Sequence, residues 1–107
     1  MHRTPLHRAV GKEHNEVVSL LLDKKADISM TDGGGLAPIH WAAIFGLVST
    51  AEILCEHHAN VDATTKSGET ALHLSAEKGK VDFVNFLLQQ GANKDVKDNT
   101  DGSFFLS

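Results

Sequence analysis

A four-residue phrase returns in this chain at a fixed interval. Thr4-Pro5-Leu6-His7 recurs as Ala37-Pro38-Ile39-His40 and again as Thr70-Ala71-Leu72-His73. Both steps are 33 residues, 37 − 4 and 70 − 37. Two further columns keep that step without a gap: Ala26-Asp27, Ala59-Asn60 and Ala92-Asn93, and then Leu21, Leu54 and Leu87. A strict period of this length means an array of like units. No unit of that size buries its apolar face alone, so neighbours must stack and share a core.

Each unit has the same internal plan. Thr4 and Thr70 are suited to cap a helix, because a hydroxyl accepts a bond from an orphan backbone N–H. Pro5 and Pro38 follow at the first helical position, where a missing N–H costs nothing. A short helix of about two turns is expected, closed by Gly46 in the second unit and Gly79 in the third as left-handed caps. A second helix carries Val17 to Leu22, Thr50 to Cys55 and Phe83 to Leu88, with apolar residues at i, i+3 and i+4. Gly91 then ends the third unit, with Lys25 and His58 at the matching places. The pattern has departures. Ala37 stands where a capping Thr belongs, Ala71 where Pro does, and Glu13 where the first unit needs its helix-ending Gly. Lys25 is the more strained of the two stand-ins before Ala-Asp and Ala-Asn, since His tolerates positive φ better.

The opening Thr4-Pro5-Leu6-His7-Arg8-Ala9 and the close Leu87-Leu88-Gln89-Gln90-Gly91-Ala92-Asn93, joined to the 33-residue period, resemble ankyrin repeats. The resemblance implies an all-α solenoid of stacked antiparallel helix pairs with β-hairpin-like fingers. It sets repeats at 4–36, 37–69 and 70–102, with 103–107 starting a truncated fourth repeat or forming a C-terminal cap. Phe104, Phe105 and Leu106 are apolar there, so a monomer that packs end to end through Phe104 and Phe105 is expected.

Composition narrows the function. Net charge is −4 and the pI is near 5.9. Non-specific nucleic-acid binding depends on Lys and Arg neutralising phosphates, so no nucleic-acid partner is expected. Cys55 is the single cysteine and has no internal disulfide partner. With no apolar leader visible after Met1, a reducing compartment is expected, the cytoplasm or the nucleus. Leu36 to Cys55 is mostly apolar and near the ~20 residues that cross a bilayer. Pro38, His40, Ser49, Thr50 and Glu52 interrupt it, so it reads as two short helices with no membrane insertion.

No catalytic constellation stands out, and no cofactor, metal or enzymatic activity is expected. His7, His40 and His73 fall in successive units and cannot converge on one ion, which needs three or four ligands together. Within the resemblance they steady the helix start by hydrogen bonding. Cys55 aligns with Leu22 and Leu88 as a core position, where a free cysteine is a small hydrophobe. Asp32-Gly33-Gly34-Gly35 suggests a phosphate loop, but no Gly-Lys-Ser/Thr follows. By register Gly35 matches Gly68, and Gly33 and Gly34 replace Lys66 and Ser67. The expectation is a flexible finger tip stripped of side chains.

Under the resemblance, partners bind in a concave groove of finger tips and inner helices. There the middle unit is unusual. Ile44 and Phe45 align with Gly11-Lys12 and with Glu77-Lys78. Adjacent exposed apolar groups cost solubility unless covered, and Trp is common among interface hot spots. Leu36, Trp41, Ile44 and Phe45 are therefore assigned to the apolar centre of a partner site beside Gly33 and Gly34. Lys12, Lys66, Glu69, Glu77 and Lys78 form its rim. The competing arrangement has Trp41 packed between units and Phe45 folded under a finger. The function expected is non-catalytic binding of another protein, as adaptor or scaffold. The alternative is a structural spacer or regulatory segment of a larger enzyme, channel or adaptor.

Overall fold

The computed structural model describes residues 3–95. The expectations for Phe104 and Phe105, and for the rest of 96–107, lie outside the described residues.

Among the described residues six helices follow one another: α1 Pro5–Gly11, α2 Asn15–Asp23, α3 Pro38–Phe45, α4 Val48–Glu56, α5 Ala71–Glu77 and α6 Val81–Gln89. The first helix of each pair starts 33 residues after the last, at Pro5, Pro38 and Ala71. The segment 36–55 is two helices, as the sequence predicts, and no helix among the described residues is long and apolar enough to cross a membrane.

The helix starts follow from their caps. Thr4 Oγ1 accepts the His7 amide at 3.2 Å, and Thr70 Oγ1 accepts the His73 amide at 3.3 Å. Ala37 has no hydroxyl, and the His40 amide turns to the Ala37 carbonyl at 3.0 Å instead. The histidines close each box from the other side. Their Nδ1 atoms accept the amides of Thr4, Ala37 and Thr70 at 3.3, 2.8 and 3.0 Å. An Nδ1 that accepts is unprotonated, so Nε2 carries the hydrogen. Through it His7 donates to the Leu36 carbonyl at 2.7 Å and His40 to the Ala63 carbonyl at 2.8 Å. The repeat histidine thus ties a helix start to a loop further along the chain.

The left-handed positions fall where the period puts them. Gly46 and Gly79 have φ of 71°, and Glu13 in the same column has 57°. Gly91 has 84°, with Lys25 at 74° and His58 at 68°. A non-Gly residue at positive φ brings its Cβ close to its own backbone, so these three departures carry strain.

α3 packs between α1 and α5, forming an inner row, while α4 packs between α2 and α6 in an outer row. The core lies between the rows, around Val10, Val18, Ala42, Ala51, Leu54, Leu72, Phe83 and Leu87. Cys55 is only half-buried, and Leu88, its counterpart in the third unit, is exposed. Their column is therefore less of a core position than expected: Leu22 in the first unit is buried, but Leu88 lies on the last helix pair described. The fingers contain no β-strand among the described residues. Each is a tight turn closed by one cross-bond, Asp32 N–H to the Leu36 carbonyl at 2.9 Å and Thr65 N–H to the Glu69 carbonyl at 2.8 Å. Gly35 and Gly68, with φ of 82° and 78°, make those turns.

Candidate partner-binding surface

Trp41 sits on the inner row with one side against the preceding unit. A Cβ on Gly11 would lie 2.9 Å from its ring, so the indole rests on bare backbone. His7 meets it edge-on at 5.5 Å between centroids, and the Arg3 guanidinium stands 4.9 Å from the ring centre. A cation over an indole is attracted by the ring quadrupole. Trp41 is half-buried.

Asp32 fixes the indole. Its Oδ2 accepts Trp41 Nε1–H at 2.8 Å. Its Oδ1 accepts the amides of Gly34 and Leu36, both at 2.9 Å. Burial pushes the Asp32 carboxyl up, but the bonds from Leu36, Trp41 and Gly34 outweigh it and hold the group below its ordinary range. The carboxylate stays charged, and charge-assisted bonds are the stronger kind. The glycine tip is bare of side chains, as expected, but it is tied at several points. Besides the Asp32 bonds, the Gly33 carbonyl accepts Lys66 Nζ at 3.0 Å from the next finger.

Phe45 stands one helical turn beyond Trp41, edge-on to it at 6.4 Å, and is 51% exposed. It is not folded under a finger. Ile44 is partly buried against the core. Leu36 is half-buried at the foot of the first finger. The apolar centre is therefore uneven: Phe45 stands free, Trp41 offers part of its surface, and Ile44 and Leu36 contribute less. Around it Lys12, Lys66, Glu77 and Lys78 are exposed and Glu69 is half-buried. Lys12, Glu77 and Lys78 make no side-chain hydrogen bond or ion pair with other described residues.

Two contributors escaped the sequence reading. Gly11 appears there only as an inner-helix position, yet it is the seat of the indole. Asp32 appears only as the first residue of the glycine-rich finger, yet it anchors Trp41. The available signal for the first was that Gly11 stands one helical turn beyond Arg8, which holds the place of Trp41 in the preceding unit, and has no side chain to keep the indole away. No signal pointed to the second, because the nine residues from Asp32 to Trp41 span a turn and half a helix.

Among the described residues no group of His, Cys, Asp and Glu is placed to hold a metal ion. The stacked helix pairs and the inner row of partly exposed apolar groups define a helical-repeat solenoid.

The family follows from comparison with known proteins. The family model for ankyrin repeats matches three copies over residues 6–98, and the chain belongs to that family. It is 45% identical over 56 residues to Inversin of Danio rerio, covering 50% of this chain and 6% of that protein. It is 42% identical over 43 residues to a putative ankyrin repeat protein of Fowlpox virus (strain NVSL), covering 40% of this chain and 30% of that protein. The matched segments are thus a minor part of both relatives. Ankyrin repeats are generally protein–protein interaction modules, typically without catalysis.

Proposed function

We propose that this array is a non-catalytic adaptor or scaffold module that binds a partner protein on its inner row. The partner covers Phe45 and the open part of Trp41, with the first finger beside them. The observation that carries this reading is Phe45, 51% exposed at the centre of a surface where both neighbouring units place lysine. Fully burying an aromatic side chain is worth roughly 1.5–3 kcal/mol, and the exposed half of Phe45 offers about half of that on association. Folding alone does not collect that energy here. We also propose a reducing compartment, the cytoplasm or nucleus, because the single cysteine, Cys55, has no disulfide partner in the sequence.

The test is capture from cell extract by the wild type, Phe45→Lys and Trp41→Ala. Phe45→Lys should keep its melting temperature and lose proteins that the wild type retains. Equal capture by both would remove Phe45 from the function. The short coverage of Inversin supports a second reading, a spacer or regulatory segment within a larger protein. In that case Phe45→Lys would leave capture unchanged.

A further inference from the structure

The charges of this chain are sorted between its two rows. The outer helices α2, α4 and α6 carry Glu16, Asp23, Glu52, Glu56 and Asp82, against Lys24, Lys25 and Lys80 at or beside their ends. The inner side carries Arg3, Arg8, Lys12, Lys66 and Lys78 against Asp32, Glu69 and Glu77, with Glu13 in the turn after α1. Of these inner acids Asp32 is already engaged by Trp41 and two amides. A chain whose net charge is −4 thus keeps a positive inner face.

The register of that face is specific. The 33-residue period puts Lys12, Phe45 and Lys78 in one column, at the ends of α1, α3 and α5. Those helices lie side by side, α3 between the other two. The exposed Phe45 ring is therefore flanked, one unit away on each side, by an exposed lysine without an ion-pair partner among the described residues. The next column, Arg8, Trp41 and Leu74, repeats the theme with a cation beside the indole.

From this column we infer that the partner is an acidic peptide segment. It crosses the inner row with an apolar anchor on Phe45 and an acid on each side, reaching Lys12 and Lys78. This rests on the partner-binding reading above and names the partner's chemistry. Packed helices stand about 8–10 Å apart. A polyproline-II segment advances about 3.1 Å per residue and returns a side chain to the same face every third residue. One repeat therefore corresponds to about three residues, and the recognised pattern is acid, two residues, anchor, two residues, acid, in that conformation. Opposed potentials of this kind set specificity and association rate more than they set bulk affinity.

The test uses short synthetic peptides with Leu or Phe at the centre and Glu, Gln or Lys three residues to either side. Binding is followed through Trp41, the single tryptophan, at low and high salt. The Glu-flanked peptides should bind about tenfold more tightly than the Gln-flanked ones, as two exposed ion pairs allow, and salt should erase the difference. Lys-flanked peptides should bind most weakly. The double variant Lys12→Glu with Lys78→Glu changes only exposed side chains and should invert the preference while keeping its melting temperature. Flank-independent binding, or no binding by any peptide of the set, would overturn the acidic pattern. Tighter binding of a single-stranded oligonucleotide that Phe45→Lys abolishes would overturn it in favour of nucleic acid. If Phe45→Lys loses extract partners while the acidic peptides do not bind, the partner surface stands and only its chemistry is wrong.

Discussion

Asp32 and Trp41 are joined by a charge-assisted hydrogen bond of 2.8 Å that ties the first finger to the second inner helix. Removing the carboxylate leaves the indole N–H and the amides of Gly34 and Leu36 without their acceptor. Asp32→Ala should therefore cost about 1–3 kcal/mol, seen as a fall in melting temperature of several degrees and a changed Trp41 emission. Asp32→Asn keeps an acceptor and should cost less. The sign with pH follows from the carboxyl being held below its ordinary 3.8. Its contribution is present above that value and is lost as pH falls through the lower folded one. An unchanged melting temperature in Asp32→Ala would show that the bond contributes nothing net.

Glu13, Lys25 and His58 occupy left-handed backbone where the matching positions hold Gly46, Gly79 and Gly91. Glycine adopts that region without strain, whereas other residues pay about 1–2 kcal/mol. The added freedom of the unfolded chain takes back part of the gain. Each of Glu13→Gly, Lys25→Gly and His58→Gly should raise stability by about 1 kcal/mol, or about 4–8 °C in a domain of this size. Lys25→Gly should gain the most if the sequence-based ranking of strain holds. Denaturant titration of the single and triple variants checks both the sign and the additivity.

Those positions show how much of the fold is legible in the sequence. A period fixes the backbone state of every column, because identical helix ends need identical caps. Glu13, Lys25 and His58 could thus be placed at positive φ from Gly46, Gly79 and Gly91 alone. The surface is less legible. Phe45 stands out by contrast with Lys12 and Lys78, and its exposure follows. Trp41 does not resolve in the same way, because its fate depends on Gly11 in the preceding unit and Asp32 across a turn. Ile44 shares Phe45's neighbourhood in sequence but leans on the core. A one-residue step around a helix separates an exposed side chain from a packed one, and composition does not report it.

His40 couples the second repeat to pH. Burial pushes its imidazole down from the ordinary 6.5, against the upward pull of the Ala63 carbonyl. The unfolded chain therefore takes up a proton more readily than the folded one. Stability that is present above about pH 6.5 is lost as pH falls toward the lower folded value. His57 has the opposite sign. The Ile53 carbonyl and Asp23 raise it, so its contribution is present at low pH and lost as pH rises through its folded value. Melting temperature should fall between about pH 7 and about pH 5. His40→Asn should flatten that fall at a lower overall stability, and His57→Gln should steepen it. Parallel profiles for His40→Asn and wild type would move the titration elsewhere.

Ala37 is the one helix start of the three inner helices without a hydroxyl cap. Its column holds Thr4 and Thr70, and Thr70 is as buried in its place as Ala37 is in its own. The backbone already has the cap geometry, with φ of −80° and ψ of 167° against −80° and 166° at Thr4. Only the oxygen is missing. The His40 amide now leans on the Ala37 carbonyl at 3.0 Å, and a hydroxyl would offer it the acceptor that His7 and His73 have. Space is available, because a cavity of about 280 Å³ borders Ala37, Ile39 and Ala63. Ala37→Thr should therefore stabilise by about 1 kcal/mol, the usual worth of such a cap. The reverse changes, Thr4→Ala and Thr70→Ala, should cost about the same. Thr70→Ala should cost the more, since its hydroxyl and its His73 partner are both buried. In a repeat array each cap supports its own unit and the two interfaces beside it. Ala37 sits in the central described pair, so its gain should appear in global unfolding and not only as local protection of α3. Hydrogen exchange of the His40 and Trp41 amides separates the two. Slower exchange there without a higher melting temperature would mean that the middle unit is not what limits the stability of the array.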